Sequence, residues 1–203
     1  MSRDSKLYTL LNAAPVRGIA SSTNASPIVI TTSAAHGLSS GDLVTIFGHL
    51  VNTNANGSHE IVVTGASSFE LVDSSGNGVG IATGVFAPQA NIVDVTDFPV
   101  AMLAFDTDGG GDAILKVQVV GSIQENAPDF AAPQGPDNQY AYLDMIDTNL
   151  GTEVVGDDGF VVATADSNKM YEVNINGMKH LSVIPTEGSI GEVTVKLRTF
   201  NER

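Results

Sequence analysis

The chain of 203 residues contains no cysteine. Disulfides, thiolate nucleophiles and cysteine-based zinc sites are therefore excluded. Tryptophan is absent too, and aromatic residues make up only 6% of the chain, which leaves little surface for stacking against sugar rings. Basic residues are scarce: nine Lys and Arg stand against 23 Asp and Glu, for a formal net charge of −14. A chain of that charge repels phosphate backbones and anionic membrane surfaces, so neither nucleic acid nor membrane is an expected partner. No apolar run approaches the ~20 residues that span a bilayer. The run that follows Met1–Lys6 is too short for a secretory signal.

What is present is a large apolar fraction, 42% of residues, which argues against disorder. Charged residues are only 16%, so Ser, Thr, Asn, Gln and Gly must cover much of the surface. The charge is unevenly spread. Residues 1–90 carry three basic and five acidic residues; residues 91–203 carry six and eighteen. Pro88 and Gln89-Ala-Asn91 are expected to form a linker where the composition changes. The division expected is an N-terminal arm over 1–18, a small β-barrel over 19–88 and a β-sandwich over 91–203.

Residues 5–14 place Leu7, Leu10 and Leu11 at helical spacing, with Ser5 as an N-cap and Pro15 as a stop. A helix that short needs something to dock on. Two readings stand: a lid on its own domain, or an arm, helical or extended, that binds a neighbouring subunit through Leu7, Tyr8, Leu10 and Leu11. From Ile19 onward the pattern is all-β. Strands are expected at Pro27–Thr32, Asp42–Phe47, His59–Thr64, Ser68–Val72 and Val79–Thr83, with Gly65-Ala-Ser67 as a hairpin link. Seven or eight further segments alternate beyond residue 91, among them Val100–Phe105, Ala113–Val120, Tyr140–Ile146, Met170–Ile175, His180–Ile184 and Glu192–Leu197. Asn176-Gly177 reads as a type I′ hairpin turn. That strand count suits a sandwich of jelly-roll or immunoglobulin-like topology.

The stretch Asn24–Ile46, with its His36-Gly-Leu and Gly41-Asp, followed by Asn56-Gly57 and Ser68-Phe-Glu-Leu-Val72, resembles a module widespread in phage structural proteins. That module is similar to the first-catalytic-cysteine half-domain barrel of ubiquitin-activating enzymes, without its chemistry. The second half resembles, more loosely, β-sandwich domains of phage virion proteins, through Val119-Val-Gly-Ser122, Pro128-Asp-Phe130, Asn138-Gln-Tyr140, Asp157-Asp-Gly159 and Tyr171–Gly177. These resemblances imply a non-catalytic virion protein. The reading they favour is a capsid decoration (cement) protein on the outside of a tailed-phage head, a homo-oligomer, expected as a trimer, with the major capsid protein as partner. A tail, adaptor or baseplate component is the alternative from the same particle, and a host-glycan adhesin the alternative from another class.

Groupings with chemical potential are few. Asp106, Asp108 and Asp112 bracket a glycine loop and could face Ca²⁺, but the twelfth position of an EF-hand count is Val117, so a solvated hairpin loop is preferred and no metal is expected. His36, His49, His59 and His180 fit no zinc spacing, and His36 reads as a turn residue. No nucleophile elbow and no phosphate-cradling loop occurs, so neither catalysis nor a cofactor is expected. Tyr140 and Tyr142 share a strand face and are the candidates for a sugar platform.

Overall fold

The computed structural model describes residues 4–78, 83–108, 114–130, 132, 134–163, 169–188 and 191–201. Their strands, in chain order, are β1 (Ser5–Ser22), β2 (Ile28–Thr32), β3 (Leu43–Phe47), β4 (Gly57–Gly65), β5 (Ser68–Leu71), β6 (Val85–Pro88), β7 (Val93–Asp94), β8 (Val100–Asp108), β9 (Ile114–Ser122), β10 (Ala141–Tyr142), β11 (Met145–Asp147), β12 (Glu153–Val154), β13 (Phe160–Ala163), β14 (Lys169–Asn174), β15 (His180–Gly188) and β16 (Gly191–Phe200). One 3₁₀ turn, Thr53–Ala55, precedes β4. The fold is all-β, a barrel followed by a sandwich, as its sequence pattern implies.

The barrel closes through antiparallel pairs around the circuit β1–β2–β5–β4–β3–β6 and back to β1. Closure removes the free edges that six short strands would otherwise expose. Period-two alternation fills the interior: Ile28 and Ile30 from β2, Val44 and Ile46 from β3, Phe69 and Leu71 from β5, and Phe86 from β6 are fully buried. Phe69 packs edge-to-face against both Phe86 and His36. The closing strand is Val85–Pro88. The strand expected at Val79–Thr83 falls largely on residues 79–82, which lie outside the described residues.

In the sandwich, one sheet has the order β12–β11–β14–β8–β16–β1, and the other β9–β15–β7, with β10 and β13 both paired to β9. Between them lies a second core, built from Leu103, Phe105, Val117, Val119, Tyr171, Val173, Leu181, Val195 and Leu197. A small third cluster, Val120, Phe130 and Ile184, occupies the outer side of the β9–β15 sheet, where Phe47 of the barrel reaches it.

Two expectations need correction. Residues 5–14 are not helical. They are the first half of β1, paired with β16 from Ser5↔Phe200 to Ala14↔Val193. The helix-like leucine spacing comes from irregularities in the strand. The register shifts between Thr9 and Leu11, and again before Ala14, where Ala13 takes a φ of 44°. A bulge turns two successive side chains to one face, so Leu10 and Leu11 are both buried while Leu7 stays outside. The second correction concerns Asn176-Gly177. Gly177 has the left-handed φ of 82°, yet the turn joins no hairpin: β14 pairs with β8, and β15 pairs with β9 and β7. The turn carries the chain from one sheet to the other because the buried Ile175 must stay in the intervening core.

The two halves are stitched along β1 and β6. Leu10, Leu11, Ala14 and Val16 of β1 face the sandwich core, and Ile19 faces the barrel core. In β6, Val85 and Ala87 face the sandwich core and Phe86 the barrel core. The linker expected at residues 88–91 is pinned down as well: Asn91 donates its backbone N–H to Leu10 O at 2.8 Å and its side-chain amide to Thr9 O at 2.9 Å.

Candidate interaction face

Of the four residues proposed to meet a partner, Leu10 and Leu11 lie in the chain's own core, 1% and 3% exposed. Tyr8 is half-buried against that core, and its hydroxyl donates to Asp94 O at 3.1 Å. Leu7, 61% exposed, is the one that points to solvent. It sits on the outer face of the β12–β11–β14–β8–β16–β1 sheet, whose inner face forms the sandwich core.

Register places further residues beside it. Leu7 is opposite Arg198, Arg198 opposite Met102, Met102 opposite Glu172, and Glu172 opposite Ile146. The next row runs Thr9, Lys196, Ala104, Met170. Ile146 and Met170 are about half exposed, at 47% and 51%. The face thus combines apolar side chains with two of the chain's nine basic residues.

The barrel holds a different grouping, a serine and a histidine in hydrogen-bond contact. Ser22 Oγ lies 2.7 Å from His49 Nε2, and His49 Nδ1 lies 2.6 Å from Thr83 O. A carbonyl can only accept, so Nδ1 carries the proton and Nε2 accepts from the serine. Asn52 adds to the group: its amide donates to Ser22 Oγ at 3.0 Å and Thr23 O at 2.9 Å, and its Oδ1 accepts from Asn77 N at 3.1 Å. Asn56 pairs with both backbone groups of His49. The pairing has the form of a nucleophile with its base. Ser22, His49 and Asn52 are 3%, 1% and 0% exposed, however, so the grouping ties the barrel wall together and presents nothing to a substrate. No spacing signal marks it in the sequence, where Ser and Asn are common.

His36 is a turn residue, as its place in the His-Gly-Leu motif suggests. Its Nε2 donates to Gly65 O at 2.9 Å and its Nδ1 accepts from Leu38 N at 3.0 Å, across Gly37 with a φ of 68°. His59 differs. Its Nε2 is buried without a hydrogen-bond partner. Burial lowers its pKa below the usual imidazole value, against the opposing influence of the Asn56 and Ala55 backbone and the charge of Asp129. A depressed imidazole pKa contributes stability that is present above the unfolded value, about 6.5, and is lost as pH falls through the folded value. His59→Gln is therefore expected to flatten the decline of Tm between pH 7 and pH 5 relative to the parent; parallel Tm curves for the two proteins would contradict this.

Tyr140 and Tyr142 are half-buried and do not form an open platform. Tyr140 packs edge-to-face on Phe130 and on Tyr142, and its hydroxyl donates to Ala132 O at 3.0 Å. Burial, first of all, together with Tyr142, pushes its pKa up to about 12. Asp106 and Asp108 extend β8, opposite Thr194 and Glu192; Asp112 lies outside the described residues. Among the described residues, no three His, Asp or Glu side chains gather as metal ligands.

No protein-family model matches the chain, and no curated protein matches it. Among solved structures it is similar to the SPBc2 prophage-derived protein YomS, at 11% identity and a TM-score of 0.39, over 55% of this chain and 80% of that one.

Proposed function

We propose that the protein is a non-catalytic structural component of a phage particle, and specifically a decoration protein that binds and stabilises the assembled head. The observation that carries this reading is the match between motif and fold in residues 19–88. The His36-Gly-Leu turn, the Gly41-Asp turn and the Phe69-Glu-Leu strand that resemble the phage module are all built into the barrel wall. His36 locks the turn to Gly65, Asp42 accepts the Ser39 N–H at 2.8 Å, and Phe69 and Leu71 fill the interior. The most conspicuous nucleophile–base pair is sealed inside that barrel, which suits a binding and packing role.

The mechanism is thermodynamic linkage. A protein that binds the assembled shell and not its separated subunits stabilises the shell by mass action. Many weak contacts on one lattice then reinforce each other. The purified chain is expected to co-sediment with emptied heads and to raise the temperature at which they break open. Co-sedimentation with detached tails, or the absence of any binding to heads, would reject the decoration role.

A further inference from the structure

Where the barrel meets the sandwich, polar side chains from three parts of the chain converge on one small space. Thr45 on β3 and Ser58 on β4 are register partners. Val44 and Ile46 point into the barrel, so alternation turns Thr45 outward, toward the sandwich. Gln89 comes from the link that follows β6. Ser182 lies on β15, between the core residues Leu181 and Val183, and therefore faces the barrel. These four residues line a cavity of about 20 Å³, and the apolar side chains of Ala90, Phe130 and Ile184 line it too. No ionisable side chain borders it, so a neutral occupant suits it.

The hydrogen-bond inventory of the lining is specific. Thr45 is only 7% exposed, and its hydroxyl has no partner among the described residues. Ser58 Oγ donates to the Asp129 carboxylate at 3.2 Å, so it accepts from Gln89 Nε2, also at 3.2 Å. That fixes the orientation of the Gln89 amide and leaves its Oε1 as an acceptor with no donor among the described residues. Ser182 Oγ donates to Asn91 O at 3.0 Å and keeps a lone pair for a second bond. The lining thus offers one donor, Thr45, and two acceptors, Gln89 and Ser182.

We propose that this joint is a binding site for a single internal water molecule, which accepts from Thr45 Oγ1 and donates to Gln89 Oε1 and Ser182 Oγ. Size sets the number. One water needs about 10–15 Å³ on this measure, and a second would need about twice that. Chemistry sets the occupant. Cavities that stay dry are apolar, whereas a buried water makes about three hydrogen bonds to groups that otherwise lack them. Such a bridge is nearly as favourable as a direct hydrogen bond. The water completes a hydrogen-bonded path from β3 in the barrel to β15 in the sandwich, beside the path from Gln89 through Ser58 to Asp129. The joint between the two cores is therefore polar and wet at its centre, although both cores are apolar.

The test is oxygen-17 relaxation dispersion of the full chain, which counts waters held longer than the protein takes to tumble. The parent is expected to hold at least one. Thr45→Ile replaces the hydroxyl with an apolar group that fills the space, and is expected to lower the count by one. Thr45→Val keeps the shape and removes only the donor; it is the variant to read should T45I not fold. With one of three bonds gone, the residence time of the water is expected to shorten at least about tenfold. Thr45→Ser, which keeps the donor, is expected to match the parent. A parent without a long-lived water, a folded T45I with the parental count, or a T45V with the parental residence time would each overturn the proposal.

Discussion

A chain lacking residues 2–14 is expected to lose its cooperative thermal transition. The deleted segment contains the outer half of β1, and with it the pairing to β16 and two of the buried core leucines, Leu10 and Leu11. Truncating one buried leucine to alanine costs about 2–5 kcal/mol. Two such losses, with a strand removed besides, approach the whole stability of a domain, about 5–15 kcal/mol. Far-UV circular dichroism during heating checks this, with Leu11→Ala as the milder variant: it should still fold, at a stability lower by about 2–5 kcal/mol. Leu7→Ser, on the solvent side of the same strand, should leave Tm nearly unchanged. A truncated chain that melted like the parent would mean that β1 is an ornament on a sandwich complete without it.

Replacement of His49 by phenylalanine is expected to destabilise the barrel by about 1–3 kcal/mol, although the new side chain is of similar size and more apolar. The reason is what stays behind. The Ser22 hydroxyl, buried in the barrel wall, loses its acceptor, and the half-buried Thr83 carbonyl loses its contact with the ring. Each buried polar group left unpaired costs about 1–3 kcal/mol. Chemical denaturation of H49F, S22A and the double variant separates the contributions. Because the two residues share one hydrogen bond, the double variant should be more stable than the sum of the single losses implies. Strict additivity would show that the contact between them contributes nothing.

The barrel was legible in the sequence because its local and tertiary signals agree. Ile28 and Ile30 alternate with polar residues, Gly37 and Gly41 mark turns and adopt positive φ, and the two-residue link at Ala66-Ser67 joins β4 and β5. The elements that were misread are those where tertiary burial overrode a local pattern. The bulges in β1 imitate a helical stripe. Asn176-Gly177 has hairpin chemistry, but the strands on either side belong to different sheets. Val85–Pro88 ends in proline and is short, so it carries little strand signal; its place is fixed by Phe86, which faces one core while Val85 and Ala87 face the other.

The candidate interaction face was legible in one residue only. Leu7 stands out as an apolar residue beside a charged segment, but Met102, Glu172 and Arg198 come from three strands far apart in sequence. Nothing short of strand register places them in one row. The Ser22, His49 and Asn52 network is hidden for the same reason: common residue types meet only when the barrel closes.

The sharing of β1 between two sheets also sets an order of assembly. Its last residues, Arg17 to Ser22, find their partners in β2 and β6, within residues 28–88. Its first half pairs with Gly191–Phe200, so the contact from Ser5 to Phe200 spans nearly the full length of the chain. Contacts that close long loops form late. On the ribosome, the barrel has everything it needs while the sandwich is still being made, and Leu10 and Leu11 remain uncovered until the last strand emerges.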